Sequence, residues 1–549
     1  MAIKLFGNRP GANAGNNVEE LNDEFKTVTT YKLFETGKQF PPEGHVERIS
    51  KQKRMKKLYD GKLAEIYERA SKLLRDGSPK QAEQLEKLYI AVNLADILVT
   101  KPADLLVGET PIYETGLDDD STEQQALNEY VKQNDLNTLI HEAAVGGGIR
   151  GDSWIKVRYG YRQDYSELMN VLSTEEFNEF MDGIDMEPII EHVTATDVFP
   201  ETSQGNTKSF KAVNIAYVEY VVTEKEEIPY LNVERHIPGY IIYERYRLYE
   251  SDVVTQYGYP LQTFTIGEKV ATGRDEDVIA TGVPHILVRH IPYKSEDTTW
   301  EGVGGLEKIE TILTAINDRM VQIDYVLWKM MDPTAYGPPL DDVNGDGTTK
   351  ISGAYIPVKS DEQTPGYMTW DARLDHAFKQ LDSLISLAFM ESETPQWLFG
   401  TVMAGAESGG SGTSHTDGAA IKQRFMPILS KVKRIRRYYD RAIRDALYFA
   451  QMLDVEHGDA SFTPVYPKIH WKDGIPANEK ELAEIMEIRT AGKPTIDQHT
   501  AIKRQDEVDD GQAREILNRI KGDEEREAGP PVSNPEMFRQ VTELEREDG

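Results

Sequence analysis

The sequence predicts an α+β protein: a mixed α/β domain, two long helices around a small β-containing module, and a terminal helical group. Three observations carry this. First, Leu306, Ile309, Leu313, Ile316, Met320, Ile323, Leu327 and Met330 recur at alternating three- and four-residue steps. That spacing keeps one narrow apolar seam along a helix of roughly 30 residues, about 45 Å. Second, Leu374, Phe378, Leu381, Ile385 and Ala388 repeat the pattern over 371–393. Third, the period drops to two between 154 and 292, as in Trp154-Ile155-Lys156-Val157-Arg158-Tyr159 and Tyr240-Ile241-Ile242-Tyr243-Glu244-Arg245-Tyr246. Such alternation of β-branched and aromatic residues marks strands.

Taken in order, residues 1–45 read as an arm of Gly, Asn and Pro clusters ending in Phe40-Pro41-Pro42. Helical patterns follow, with turns at Asp60-Gly61 and Asp76-Gly77-Ser78-Pro79. Pro79 is placed to open a helix through Leu85, Leu88, Val92, Ala95 and Val99. A further helix reaches Ala144, and 173–182 reads as a helix inserted among the strands. The mixed domain spans 46–300 and the first long helix 301–332, stopped by Asp332-Pro333. Residues 333–370 form a turn-rich module of short strands, and 371–396 the second long helix. Residues 397–418 are a Gly/Ser/Thr-rich loop. A third long helix occupies about 419–454, with Pro427 expected to kink or restart it. Residues 464–471 return as a strand to the first domain, closing a unit over 419–475. Residues 476–527 form the helical group, and 528–549 an acidic tail expected to be disordered.

At 549 residues the chain needs several substructures. Its 39% hydrophobic and 9% aromatic content is enough for real cores. The absence of cysteine removes disulfides, thiolate metal sites and a cysteine nucleophile. The first residues are polar, without the apolar core of a signal peptide. No apolar run approaches the roughly 18 residues of a membrane span. The expectation is a chain with no membrane association, made for a neutral or reducing compartment. The formal net charge of −31 is the reverse of what phosphate neutralisation needs. It serves solubility, or a surface along which nucleic acid slides without sticking. Composition does not choose between these.

Motifs of enzyme chemistry fail on their context. Gly146-Gly147-Gly148-Ile149-Arg150-Gly151 matches G-x-G-x-x-G, but a helix precedes it and a strand follows, the reverse of a dinucleotide site. A helix-to-strand turn is the reading. Asp342, Asn344, Asp346 and Gly347 match half of a calcium loop, yet Gly353 stands where the bidentate carboxylate belongs, so a hairpin turn at Asn344-Gly345 is preferred. His141-Glu142 begins like a zinc-protease helix, but Val145 replaces the second histidine. His285, His290, His376, His415 and His470 have no ligand spacing. Phosphate loop and nucleophile elbow are absent. No catalytic residue, metal or cofactor is assigned.

One basic cluster stands out on the third long helix: Lys422, Arg424, Lys431, Lys433, Arg434, Arg436, Arg437, Arg441 and Arg444. It reads either as a stripe facing DNA or a partner, or as cations pairing with acidic neighbours in another subunit. Ile421, Phe425, Leu429, Val432 and Ile435 show that one face is buried. The two seamed rods joined by a compact tip read as a spoke that needs identical spokes beside it, hence an assembly part and not an enzyme.

Four stretches add a family likeness. Asn93-Leu94-Ala95-Asp96 leads to Leu105-Leu106-Val107-Gly108-Glu109-Thr110-Pro111. The seam of 302–331 is the second. The third runs from Thr394-Pro395 through the glycine-rich loop to Asp417-Gly418-Ala419-Ala420-Ile421-Lys422. The fourth joins Ile469-His470-Trp471-Lys472-Asp473-Gly474-Ile475-Pro476, Ala491-Gly492-Lys493-Pro494-Thr495 and Glu507-Val508-Asp509-Asp510. In order and spacing these resemble the portal proteins of tailed bacteriophages, in particular the SPP1-like siphophage group. Thr495-Ile496-Asp497 stands where relatives more often have a Ser-centred start, a change of helix cap only. The inserted helix at 173–182 has no place in the resemblance.

The resemblance implies a dodecameric ring at one capsid vertex, assembled in the host cytoplasm and carried in the virion. Residues 46–300 and 419–475 would be the wing, the two rods the stem, 333–370 the clip and 476–527 the crown. Stem packing would use Leu306, Ile309, Leu313, Ile316, Met320, Ile323, Leu327, Leu374, Phe378, Leu381 and Ile385. The tunnel loop would face DNA with Thr401, Val402, Met403, Glu407, Ser408, Ser411, Thr413, Ser414 and His415. Docking on the clip would involve Tyr336, Asp341, Asp342, Asn344, Asp346 and Tyr355, and the basic helix Lys431, Lys433, Arg434, Arg436 and Arg437. Implied partners are sister copies, double-stranded DNA, the terminase large subunit, a head–tail adaptor, and the major capsid protein with its scaffold. Two rival readings stay open: a metal-dependent nuclease or hydrolase using Asp342, Asn344 and Asp346, and a structural adaptor or scaffold without a channel.

Overall fold

The computed structural model describes residues 33–61, 93–330, 334–337, 355–357, 366–368, 374–399 and 418–527, apart from 166, 169–170, 204, 223–225, 275, 459, 473–478, 492–493 and 506–509. The fold is mixed helix and strand, in keeping with the α+β expectation.

The first described elements are strand β1 (Gln39–Phe40) and helix α1 (Glu43–Tyr59). Both begin inside the stretch read as an arm, because Phe34, Phe40 and Val46 are core residues. Next come α2 (Leu94–Val107), β2 (Ile112–Glu114), α3 (Thr122–Gln133) and α4 (Leu136–Arg150). The expected helix start at Pro79, with Leu85, Leu88 and Val92, lies outside the described residues.

Strands then dominate: β3 (Asp152–Gly160), helix α5 (Thr174–Met181), β4 (Glu187–Val193), β5 (Val198–Ser203), β6 (Asn206–Val222), β7 (Glu227–Ile237), β8 (Tyr240–Gln256), β9 (Tyr259–Val270), β10 (Val278–Ala280) and β11 (Val288–Pro292). The inserted helix is therefore present. It starts with reciprocal caps, the Ser173 N–H on the Glu176 carboxylate and the Glu176 N–H on Ser173 Oγ.

Seven strands form one antiparallel sheet in the order β1-β9-β8-β7-β6-β5, with β10 added on β8. Short hairpins set its register. Tyr257 and Gly258 both have positive φ between β8 and β9, the two-residue turn whose twist matches that of the strands. The inner face, with Leu231, Tyr246, Leu248 and Ile266, packs on Val46 and Ile49 of α1. Arg48, buried on the same helix, donates to the carbonyls of Ala195 at 2.7 Å and Val198 at 2.9 Å. A buried cation is tolerable only with its donors satisfied in this way.

A second sheet, ordered β11-β3-β4, lies under the longest helix. The chain reaches it after α6 (Glu310–Met330), the short strands β12 (Thr334–Gly337), β13 (Tyr355–Pro357) and β14 (Gly366–Met368), and α7 (Leu374–Glu391). The long helix, α8, runs from Gly418 to His457 without a break. Pro427 is its tenth residue, so the proline falls inside the helix and neither ends nor restarts it. Ile435, Tyr439, Ile443, Leu447 and Phe449 bury its inner face against Ile155, Val157 and Ile291. Strand β15 (Lys468–His470) then pairs with β2, as the expected return strand should. Helices α9 (Glu479–Thr490), α10 (Gln498–Gln505) and α11 (Asp510–Glu527) follow.

Two local expectations are corrected. Gly146, Gly147 and Gly148 are not a turn but buried helical residues of α4. Only Gly151, at φ 90°, makes the turn into β3. The first rod is also shorter than its pattern, since α6 starts at Glu310 and the preceding residues follow turns. The segment before α6 is instead held against the end of α4, with Gly302, Gly304 and Gly305 close to the backbone of 148–151.

Candidate functional site

The α6–α7 pair, the joint beneath it and the base of α8 make up the region where the sequence placed function. Leu306, Ile309, Leu313, Ile316, Ile323, Leu381 and Ile385 are all buried within one chain, together with Met55 and Leu58 of α1 and Leu98 and Val99 of α2. Each such side chain taken from water contributes about 1.5–3 kcal/mol. Met320 and Leu374 are half-buried, and further out Leu327 is 41% and Phe378 44% exposed. The expectation that the seam as a whole waits for sister copies is therefore corrected. Its inner part is closed by α1, α2 and the partner rod, and only the outer part leaves apolar side chains in solvent.

The joint is built from glycine. The Gly305 N–H donates to the Gly148 carbonyl at 2.7 Å, and the Gly302 N–H donates to Asp152 Oδ1 at 2.8 Å. The same carboxylate oxygen lies 2.7 Å from His290 Nε2, and Asp152 is buried. These contacts fasten the end of α4 and the start of β3 to the segment that leads into α6. No spacing in the sequence groups Asp152, His290 and Gly302. The repeated close glycines at 146–151 and 302–305 were the available signal.

The basic helix does much of its work inside the chain. Lys431 Nζ, buried, donates to the Ser392 carbonyl at 2.8 Å, and Arg434 Nη2 lies 2.8 Å from Glu393 Oε1. Both partners follow directly on α7, whose last carbonyls and negative dipole end call for donors and cations. Glu393 has φ 56° there, the left-handed conformation that ends many helices. Burial lowers the Lys431 ammonium to about 8, Arg434 adding to the effect and the Glu393 carboxylate opposing it. Arg436 donates to the Lys472 carbonyl at 2.6 Å and lies over the Trp471 ring. For Lys431, Arg434 and Arg436, then, an open stripe toward DNA or another subunit is replaced by contacts in the same chain. Lys433 and Arg437 are exposed.

At the tip, β12 pairs in parallel with β13 and antiparallel with β14. Tyr336 is half-buried in β12, and Tyr355 opens β13. Asp341, Asp342, Asn344 and Asp346 lie outside the described residues, as do Thr401, Val402, Met403, Glu407, Ser408, Ser411, Thr413, Ser414 and His415 of the expected tunnel loop. Among the described residues, no group of three or more His, Asp or Glu side chains stands where it could hold a metal ion. None of the described helices is long and apolar enough to cross a membrane.

Comparison with known proteins adds one result to this geometry. A family model described as phage portal protein, SPP1 Gp6-like, matches residues 40–529. No curated protein matches the chain.

Proposed function

The chain belongs to the SPP1 Gp6-like phage portal proteins, and from that premise we propose that its copies form a dodecameric ring at the capsid vertex, a channel for double-stranded DNA during packaging and ejection. The observation that carries the reading is the match over 40–529, which takes in every described element from α1 to α11. In this reading 46–300 and 419–475 are the wing, α6 and α7 the stem, 333–370 the clip and 476–527 the crown. The loop at 397–418 reaches into the channel. Its glycines let the backbone yield to passing DNA, and its Ser and Thr side chains offer weak, replaceable contacts. A charge of −31 per copy, repeated around a ring, repels phosphate and keeps friction low.

The chain itself is assigned no catalysis. A terminase large subunit would dock on the clip during filling, and a head–tail adaptor would replace it afterwards. The major capsid protein and scaffold would surround the wing, in a particle assembled in the host cytoplasm. Negative-stain images of the purified protein test the proposal. Rings with a central hole and countable subunits support it. Particles that stay monomeric at high concentration and with scaffold present, or closed assemblies without a hole, overturn it.

A further inference from the structure

A cleft of about 490 Å³ lies where α8 crosses β11, and it is basic in an otherwise acidic chain. Lys208, Arg289, Arg437 and Arg441 line it against one carboxylate, Asp445. That carboxylate is already shared. It lies 3.1 Å from Arg289 Nε and accepts from the Tyr466 hydroxyl at 2.8 Å. Lys208 donates to Ser295 Oγ and to the Glu296 carbonyl. Arg437 and Arg441, one helical turn apart, are exposed and have no hydrogen bond or ion pair among the described residues. Burial holds the Arg289 guanidinium below its ordinary range. Asp445 opposes this, and the charge of Arg441 adds to it. A further carboxylate entering the cleft would relieve that crowding.

The complementary group sits in the connection that leaves the end of the same sheet, between Gly160 of β3 and Glu187 of β4. In the order β11-β3-β4 the cleft flanks β11, while the connection from β3 to β4 carries α5. Glu175 and Glu179 are one turn apart on a single face of α5, and Asp182 is the residue immediately after its last turn. All three are exposed and have no ion pair among the described residues. Phe180 beside them is 45% exposed.

We propose that the cleft receives the α5 carboxylates of a second copy of this chain, a contact that rests on the ring reading above. Because the cleft is built from β11 and α8 and the carboxylates lie in the β3–β4 connection, the contact uses different patches on the two copies. Contacts of that kind close into rings when the rotation between copies closes, and the ring reading supplies that condition. The competing polyanion, duplex DNA, presents its phosphates on a rod far wider than a recess with room for a few side chains. Charged pairs at such a rim act mainly on association and on its salt dependence.

Charge exchange tests the pairing. Arg437→Glu with Arg441→Glu, and separately Glu175→Lys with Glu179→Lys and Asp182→Lys, should each raise the concentration needed for rings by at least about tenfold at physiological salt. Mass photometry reads this, and circular dichroism and thermal melting check the fold. Combining all five changes should restore rings. The chain has no cysteine, so Arg441→Cys in one tagged population and Glu179→Cys in another give an independent reading. Covalent dimers between the two tags on oxidation support the contact, and their absence from formed rings overturns it. Rings unaffected by either set of changes, or not restored by the combination, overturn the contact and leave the ring reading standing. Weaker binding of a random-sequence duplex by the arginine variant, with assembly intact, assigns the cleft to phosphate and overturns it too. A wild-type chain that never forms rings removes both readings.

Discussion

Gly151 and Gly302 meet backbone to backbone: a β-carbon on Gly302 would stand 2.1 Å from the Gly151 carbonyl oxygen, and one on Gly151 2.2 Å from that of Gly302. Neither neighbour is a flexible side chain that could swing aside. The joint between β3 and the approach to α6 thus depends on two residues without side chains, more than 100 positions apart in sequence.

Gly302→Ala should destabilise the protein by about 2–4 kcal/mol, since backbone must move to admit one methyl group. Gly205→Ala is the control. Gly205 has φ 79° with open space around it, so only conformational strain is added, about 1 kcal/mol. Urea unfolding of the two variants checks the difference. Equal losses would mean that the close approach carries no weight.

The inner and outer parts of the seam should separate under mutation. Leu313→Ala, in the buried part, should cost about 2–5 kcal/mol of monomer stability. Leu327→Glu with Phe378→Glu, at exposed positions, should leave the melting temperature of the monomer within a few degrees and impair ring formation. Thermal melting and light scattering on the same samples distinguish the two. Rings from the outer variant at wild-type concentrations would show that those side chains take no part in assembly.

Lys431 predicts a rise of stability with pH. Its folded value of about 8 lies below the ordinary 10.5, so between them the unfolded chain holds the proton more tightly. The cost of the buried charge is present in full below about 8 and disappears as the pH rises toward 10.5. Against Lys431→Met, wild type should gain about 2–3 kcal/mol across that window. Chemical denaturation at pH 7.5 and 10 measures it, the tyrosines titrating alike in both proteins.

Glu234 predicts a rise of the same sign in the acid range. Burial pushes against its ionisation, but the hydrogen bond with His236 at 2.9 Å and Lys156 at 3.3 Å outweigh it and hold the carboxyl at about 2. A depressed carboxylate contributes stability that is present above its ordinary 4.5 and lost as pH falls through about 2. Glu234→Gln should therefore cost about 2–3 kcal/mol at pH 7 and progressively less below pH 4. Urea titrations at pH 7 and 3 check it.

Much of the architecture was legible along the chain. The alternation at Trp154 and Tyr240 falls on β3 and β8, the inserted helix lies within its expected span, and Leu374, Leu381 and Ile385 lie on α7. These are short-range properties, governed by which face of a segment prefers to leave water. The glycine run at 146–151 was read for its turn capacity. Gly146, Gly147 and Gly148 instead serve a helix packed closely against its surroundings, which no local signal distinguishes. The candidate loop residues from Thr401 to His415 had the composition of a flexible segment, and their role stays with the proposal.

The order of elements, the two seamed helices, the acidic balance and the portal family are all written in the linear chain. Tertiary structure decided what each face meets. It put the inner seam against α1 and α2, set Lys431 and Arg434 on the end of α7, and gathered Lys208, Arg289, Arg437 and Arg441 into one cleft. The reason is physical: periodicity reports that a face is buried and charge reports that a partner is needed, but each is satisfied equally by a neighbour 40 or 400 residues away. Only the folded chain selects one.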